Sequence, residues 1–385
     1  MESIDPEGPY GAKEAGEGPL HPSIPAIANA IYDAVGVRMD RLPFSAPRVW
    51  RALSRARGVL TGLLLLVGLV ACADPGPGAD SGPDGDSARD TLAYSATPED
   101  GAIIRAKVVW GREAGLDTVA VGEAMASLGL TFLGTPYRPG TLEAPGEERV
   151  VVNLRELDCV TFVETVSALT ELIRDPTVDP SGDPATLEAR FARALEARRY
   201  RGGALDGYPS RLHYFSEWIR DNHERGRVQD LTAQLGGDVY PGPVDFMSTH
   251  PEAYRQLAEP EVLAAIVTME AGESALPRFR IPEDRIEGVE AGIQAGDIIA
   301  ATSAIEGLDV AHTGIAVLVD GRVHLLHAPL VGEEVQLSEV PLADRIKRIP
   351  GQDGIMVARP LDHVGEARGS GDEPGRAAPP SERED

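Results

Sequence analysis

Apolar residues recur at two different periods along this chain, helical in the first two thirds and alternating in the last. Gly101 to Trp110 and Val119 to Leu128 carry the helical period, with a boundary near Gly115. Gly146 to Val152 holds a short strand and leads into the stretch Asn153 to Arg174, N-L-R-E-L-D-C-V-T-F-V-E-T-V-S-A-L-T-E-L-I-R. That stretch predicts a helix beginning at Cys159. Asp158 is its N-cap, Leu157 and Phe162 staple the approach, and Asp175-Pro176 ends it. Phe162, Val163, Val166, Leu169 and Ile173 form the stripe it buries. Helical pattern returns over Pro184–Arg199, over Pro209–Asn222 (starting on a proline, with Leu212, Phe215, Trp218 and Ile219 facing the core) and over Pro251–Glu270. Asp297–Ala301 then reads as a strand, and His312–Val319 and Arg322–Ala328 flank Asp320-Gly321, a pair suited to a two-residue type I′ turn. Gly354–Arg359 closes the series. Helices first and strands afterwards predict an α+β domain with an antiparallel sheet.

The hairpin fixes which side chains can meet. If Val319 pairs with Arg322, then Leu318 faces Val323, Gly314 faces His327 and His312 faces Pro329. His312, Gly314, Ala316, Leu325 and His327 then share one face, with His312 and His327 diagonal neighbours and His324 on the other side opposite Val317.

A cysteine at a helix start, with two converging histidines, suits nucleophilic chemistry. The helix dipole is expected to lower the thiol pKa of Cys159. His312 would take the thiol proton or hold the thiolate as an ion pair, and His327 would orient His312. The Cys159 amide at the helix start can donate to a tetrahedral oxyanion. Taken alone, Cys159 reads equally well as a buried structural cysteine. Zinc is the competing use of one Cys and two His, although the paired spacing of zinc motifs is missing and no cofactor is expected.

Composition narrows the partners. The 385 residues suffice for one large domain, and a formal net charge of -25 argues against nucleic acid or an anionic surface as an electrostatic partner. Cys72 and Cys159 are the two cysteines, so at most one disulfide is arithmetically possible. Nothing in the pattern fixes an oligomeric state.

The chain before residue 98 reads as targeting and tether. Val59–Ala71 is an uncharged apolar run preceded by Arg51, Arg55 and Arg57, short for a spanning helix and suited to a secretory signal. Leu69-Val70-Ala71-Cys72 resembles a bacterial lipobox, which implies lipidation of Cys72 and cleavage before it, the alternative being an ordinary signal peptide with an accidental cysteine. Acidic residues before Met39 do not fit a signal, so translation is expected to start at Met39. On this reading residues 1–72 are extension and signal, 73–97 a Gly/Pro/Asp-rich tether, 98–361 the folded domain and 362–385 a polar disordered tail. Ala73 points to an outer membrane, with the domain facing the periplasm.

L-D-C-V-T-F-V-E, followed by D-V-A-H-T-G-I-A-V and H-L-L-H-A, resembles the NlpC-type cell-wall cysteine peptidase superfamily. That resemblance implies a papain-like fold, a Cys159–His312–His327 triad, and substrate contact by Tyr137 of the T-P-Y-R-P-G loop and by Asp158. Val160-Thr161 in place of the usual Ser-Gly, and the long helical insertion carrying R-L-H-Y-F-S-E-W-I-R-D-N, resemble its N-acetylmuramoyl-L-alanine amidase-like branch. The resemblance implies cleavage of the muramoyl–L-alanine amide in peptidoglycan fragments (muropeptides). A D-glutamyl–diamino acid endopeptidase and a non-catalytic wall-binding lipoprotein are the alternatives.

Overall fold

The computed structural model describes residues 92–143, 146–330 and 333–362, with short strands interleaved among the helices before the main run of strands from residue 298. The expectations for residues 1–91, Cys72 among them, and for the tail after 362 lie outside the described residues. Among the described residues no helix is long and apolar enough to cross a membrane. The tether reading reaches too far. Tyr94–Ser95 (β1) pair in parallel with Val150–Val151 (β2), because Leu92, Tyr94 and Ala96 pack against the core at alternate positions.

Helix α1 (Pro98–Glu113) starts three residues before the periodic stretch, since Thr97 and Asp100 form a reciprocal capping box. Asp100 is wholly buried, and its carboxylate accepts the Leu154 N–H at 2.9 Å and the Arg155 Nε–H at 3.1 Å. It thereby fixes the segment just ahead of Cys159. After α2 (Val121–Leu130) comes α3 (Cys159–Arg174), which begins and ends as the sequence predicts. Asp158 Oδ1 accepts the Thr161 N–H at 2.8 Å, and Thr161 Oγ1 accepts the Asp158 N–H at 2.9 Å. Helix α4 (Pro184–Arg199) also matches its predicted bounds. Glu164 of α3 accepts from Arg199 at 2.7 Å and from the Trp218 indole at 3.3 Å, so one buried carboxylate holds three helices together.

Helix α5 is Phe215–Glu224 and does not begin at Pro209. Gly207 at φ 71° turns the chain, Tyr208–Ser210 make one 3₁₀ turn, and Arg211 bridges back to Tyr200. The amide of Ser216 in the first turn of α5 is capped by the distant carboxylate of Asp309, at 2.7 Å. A tertiary cap, absent from the local sequence, therefore sets this boundary. The helical pattern from Pro251 resolves into two 3₁₀ turns, Pro251–Ala253 and Arg255–Ala258, followed by α6 (Pro260–Ser274). Trp218 is core, as predicted, stacked on Phe215 at 4.9 Å.

The main sheet is antiparallel, in the order β4 (Asp238–Val239), β5 (Phe279–Pro282), β10 (Gln352–Pro360), β6 (Ile298–Ser303), β7 (Val310–Val319), β8 (Arg322–His327) and β9 (Gln336–Leu337). Strand β3 (Val228–Asp230) also pairs with β10. One face, with Ile298, Ala300, Ile315 and Leu326, shares a core with Phe162 and Val166 of α3. The other, with Ile299, Ala301, Ala316 and Leu325, packs with Leu342, Ala343 and Ile346 of α7 (Leu342–Arg348).

Asp320 and Gly321 both take positive φ, 50° and 79°, as a type I′ turn requires. The predicted β7–β8 register holds from Val319–Arg322 to Ile315–Leu326 and stops there. Gly314 and His327 are not ladder partners: the β7–β8 ladder ends at Ile315–Leu326, while His327 pairs with Gln336 of β9. A Cβ on Gly314 would stand 2.7 Å from the Leu326 carbonyl and 2.9 Å from Leu325 carbons. Gly314→Ala is therefore expected to cost about 1–3 kcal/mol, read as a lowered Tm; an unchanged Tm would show that the strands yield freely here.

Candidate active site

The first turn of α3 meets β7 at Thr313, just beyond the last β7–β8 ladder pair. Thr313 Oγ1 donates to the Cys159 carbonyl at 2.9 Å. One residue away, His312 pairs with Ala301 of β6 beside a bulge in that ladder. Its Nε2 lies 2.7 Å from His327 Nδ1, with the two rings edge-to-face at 4.9 Å between centroids. The predicted meeting of these two imidazoles is thus present. His324 points elsewhere, its Nδ1 2.8 Å from the Ser338 carbonyl.

Cys159, Asp158, His312 and Thr313 line one cavity of about 400 Å³, closed on its far side by Tyr208, Arg211, His213, Tyr214, Met247 and Tyr254 from the helical insertion. His327 is buried behind His312. Tyr137 is not among the cavity-lining residues. Its backbone bridges to Leu157, immediately before Asp158, and its phenol pKa is raised by burial and by its nearness to Cys159 and Asp158. Among the described residues no cluster of three or more His, Cys, Asp or Glu is arranged to hold a metal ion.

The electrostatics differ from the sequence expectation. Burial pushes the Cys159 thiol up to about 11, with the neighbouring Asp158 carboxylate adding to the shift, and the hydrogen bonds from Thr313 and Val160 only partly oppose it. Desolvation outweighs the helix start. Burial, with Arg345 of α7 in support, also lowers His312 to about 3. Burial, then His312, then Arg345 lower His327 to about 2. Burial thus favours the neutral form of the thiol and of both imidazoles, with Cys159 and His312 lining the same cavity.

Sequence reasoning did not single out Arg211, His213, Thr313, Asp309 or Arg345. R-L-H-Y-F-S-E-W was visible as a resemblance to one branch. That it walls the thiol cavity depends on the fold of the insertion, whose local pattern was read only as a helix.

A family model described as AmiA-like, N-acetylmuramoyl-L-alanine amidase-like, matches residues 127–355. Among solved structures, an N-acetylmuramoyl-L-alanine amidase from Bacteroides uniformis is 38% identical, covering 63% of this chain and 99% of its own, with a TM-score of 0.58. A Bacteroides fragilis protein, provisionally named a xylanase, is 38% identical over 60% of this chain and 98% of its own, with a TM-score of 0.54. A Legionella pneumophila protein at 20% identity, covering 68% and 95%, shares the fold with a TM-score of 0.50.

Two pH responses are expected. Alkylation of Cys159 by iodoacetamide should keep accelerating above pH 9, because the thiol titrates at about 11; a plateau reached by pH 7 would mean a preformed thiolate. His213, held at about 3 by burial and by Arg211, joins His312 and His327 as a histidine whose folded pKa is depressed. An unfolded histidine titrates near ~6.5, so the unfolded chain binds protons that the folded chain refuses. The stability contributed is complete above that pH and is lost as pH falls toward the folded values. Tm should decline on acidification from about pH 6.5, and His327→Asn should make that decline shallower.

Proposed function

This chain belongs to the AmiA-like, N-acetylmuramoyl-L-alanine amidase-like family, and from that premise we propose that it is a lipid-anchored cysteine amidase of muropeptides. The observation that carries the proposal is the 2.7 Å contact between His312 Nε2 and His327 Nδ1, beside a thiol that opens a helix in the same cavity. Resemblance to the NlpC-type superfamily, with its papain-like fold, assigns the same three residues.

The chemistry follows from the placement. His312 Nε2–H donates to His327 Nδ1, which leaves the lone pair of His312 on Nδ1 for the thiol proton. Because both partners rest neutral, that proton moves as Cys159 Sγ bonds to the lactyl carbonyl carbon and the carbonyl electrons shift to oxygen. The Cys159 N–H, at the first position of α3, donates to the oxyanion. Collapse breaks the C–N bond, His312 returns its proton to the amine of L-alanine, and a thioester remains. Water then attacks, losing a proton to His312, and expels the thiol. Tyr137 and Asp158 contact the substrate beside the sulfur, and Cys72 carries the lipid that holds the domain at the cell envelope, at the periplasmic face of an outer membrane.

Incubation with a defined muropeptide should release the intact peptide with a free L-alanine amine, identified by mass. Cleavage between D-glutamate and the diamino acid would make it an endopeptidase, and binding without cleavage would make it a wall-binding protein. Cys159→Ala should abolish turnover with folding intact, and His312→Ala should cost about 10²–10⁴-fold. His327→Ala should be milder, and chelators should have no effect. Cys72→Ser should move the protein from the membrane to the soluble fraction.

A further inference from the structure

Thr313 stands opposite Ala300 in the β6–β7 ladder and two residues from Ile315, on the sheet face that shares its apolar core with α3. It is 1% exposed. Valine has nearly the same shape and no polar atom to satisfy, so a buried hydroxyl here is costly unless it makes its bond. The bond it makes is to the Cys159 carbonyl, Oγ1 donating at 2.9 Å. That carbonyl does not depend on it. As the first residue of α3, Cys159 accepts the Val163 N–H within the helix. The Thr313 bond is therefore additional to the helix's own ladder, and what it supplies is a tie between a strand and the first turn of a helix.

The position of that tie gives it a consequence for the chemistry. His312 immediately precedes Thr313 and is held by the same ladder, opposite Ala301 as Thr313 is opposite Ala300. Elsewhere α3 and the sheet meet through the apolar core that Phe162 and Val166 share with Ile298 and Ile315. Apolar contact is non-directional, whereas a hydrogen bond fixes both a distance and a direction. The residue that bears the thiol is thus located against the strand that bears the base, one residue from that base. We propose that Thr313 is a positioning residue for the reaction, its hydroxyl setting, through the Cys159 carbonyl, where the sulfur stands relative to His312. It touches neither the substrate nor a reacting atom. The assignment rests on the reading of Cys159 as nucleophile and His312 as base, and a misplacement of about 1 Å between such groups costs about 10²-fold in rate.

Removing the hydroxyl and the methyl one at a time separates positioning from packing. Thr313→Val keeps the volume and loses the hydroxyl, and Thr313→Ser does the reverse. In the full-length protein acting on a defined muropeptide, Thr313→Val should lower kcat about 10–100-fold with KM unchanged. Thr313→Ser should recover most of that loss, even if its Tm is the lower of the two. Should Thr313→Val fail to fold, Thr313→Ser against Thr313→Ala makes the same comparison with the methyl absent from both, and serine should be the faster. Unchanged turnover in Thr313→Val, a loss confined to KM, or a serine variant as slow as the variants without the hydroxyl would overturn the assignment. A second readout needs no turnover. Thr313 is one of the groups that oppose the rise of the Cys159 thiol pKa, so Thr313→Val should displace the pH profile of iodoacetamide alkylation upward while Thr313→Ser follows the wild type. If the wild-type protein cleaves no muropeptide and this displacement is found, the amidase reading falls and the positioning role stands. If it cleaves none and the profiles coincide, both fall.

Discussion

The bond from Thr313 to the Cys159 carbonyl is the joint on which the site depends. It ties the opening turn of a helix to a strand 154 residues later in the chain. Both partners need their own supports. On the helix side, the Asp158–Thr161 capping box fixes where α3 starts, and buried Asp100 holds the preceding segment through Leu154 and Arg155. On the strand side, β7 is paired with β6 from Val310 to Ile315 and with β8 from Ile315 to Val319. Just beyond the end of the β7–β8 ladder, Thr313 meets the first turn of α3 and His312 meets His327. Local caps and strand pairing thus bring distant residues together.

Much of this was legible because its code is local. Asp158 before Cys159 and the Asp175-Pro176 stop gave α3 to the residue, and Asp320-Gly321 gave the turn and hence the register that brings His312 to His327. The capping box Thr97–Asp100 was equally readable in T-P-E-D and was missed by following only apolar spacing. Other features have no local code. The start of α5 is set by Asp309, which stands 93 residues from Ser216, so the proline at 209 suggested a boundary that the fold does not use.

The thiol shows the same limit in its energetics. A helix start is visible in sequence and argues for a depressed pKa, but desolvation depends on what surrounds the sulfur, and here desolvation dominates. Arg345 illustrates it again. It lies in a short helix after the hairpin, with no motif around it, and only packing of α7 against the sheet brings its charge to bear on the imidazoles.

Asp309 sits three residues before His312 and caps the helix that follows the cavity wall. One side chain therefore couples two parts of the molecule with different duties, the strand that carries the base and the insertion that shapes the pocket. Sequence drift in the insertion can alter which ligand is admitted, provided that this anchor persists, while the reactive geometry is inherited unchanged. In engineering terms, Asp309 marks the seam along which a new recognition module could be grafted onto the same reaction centre.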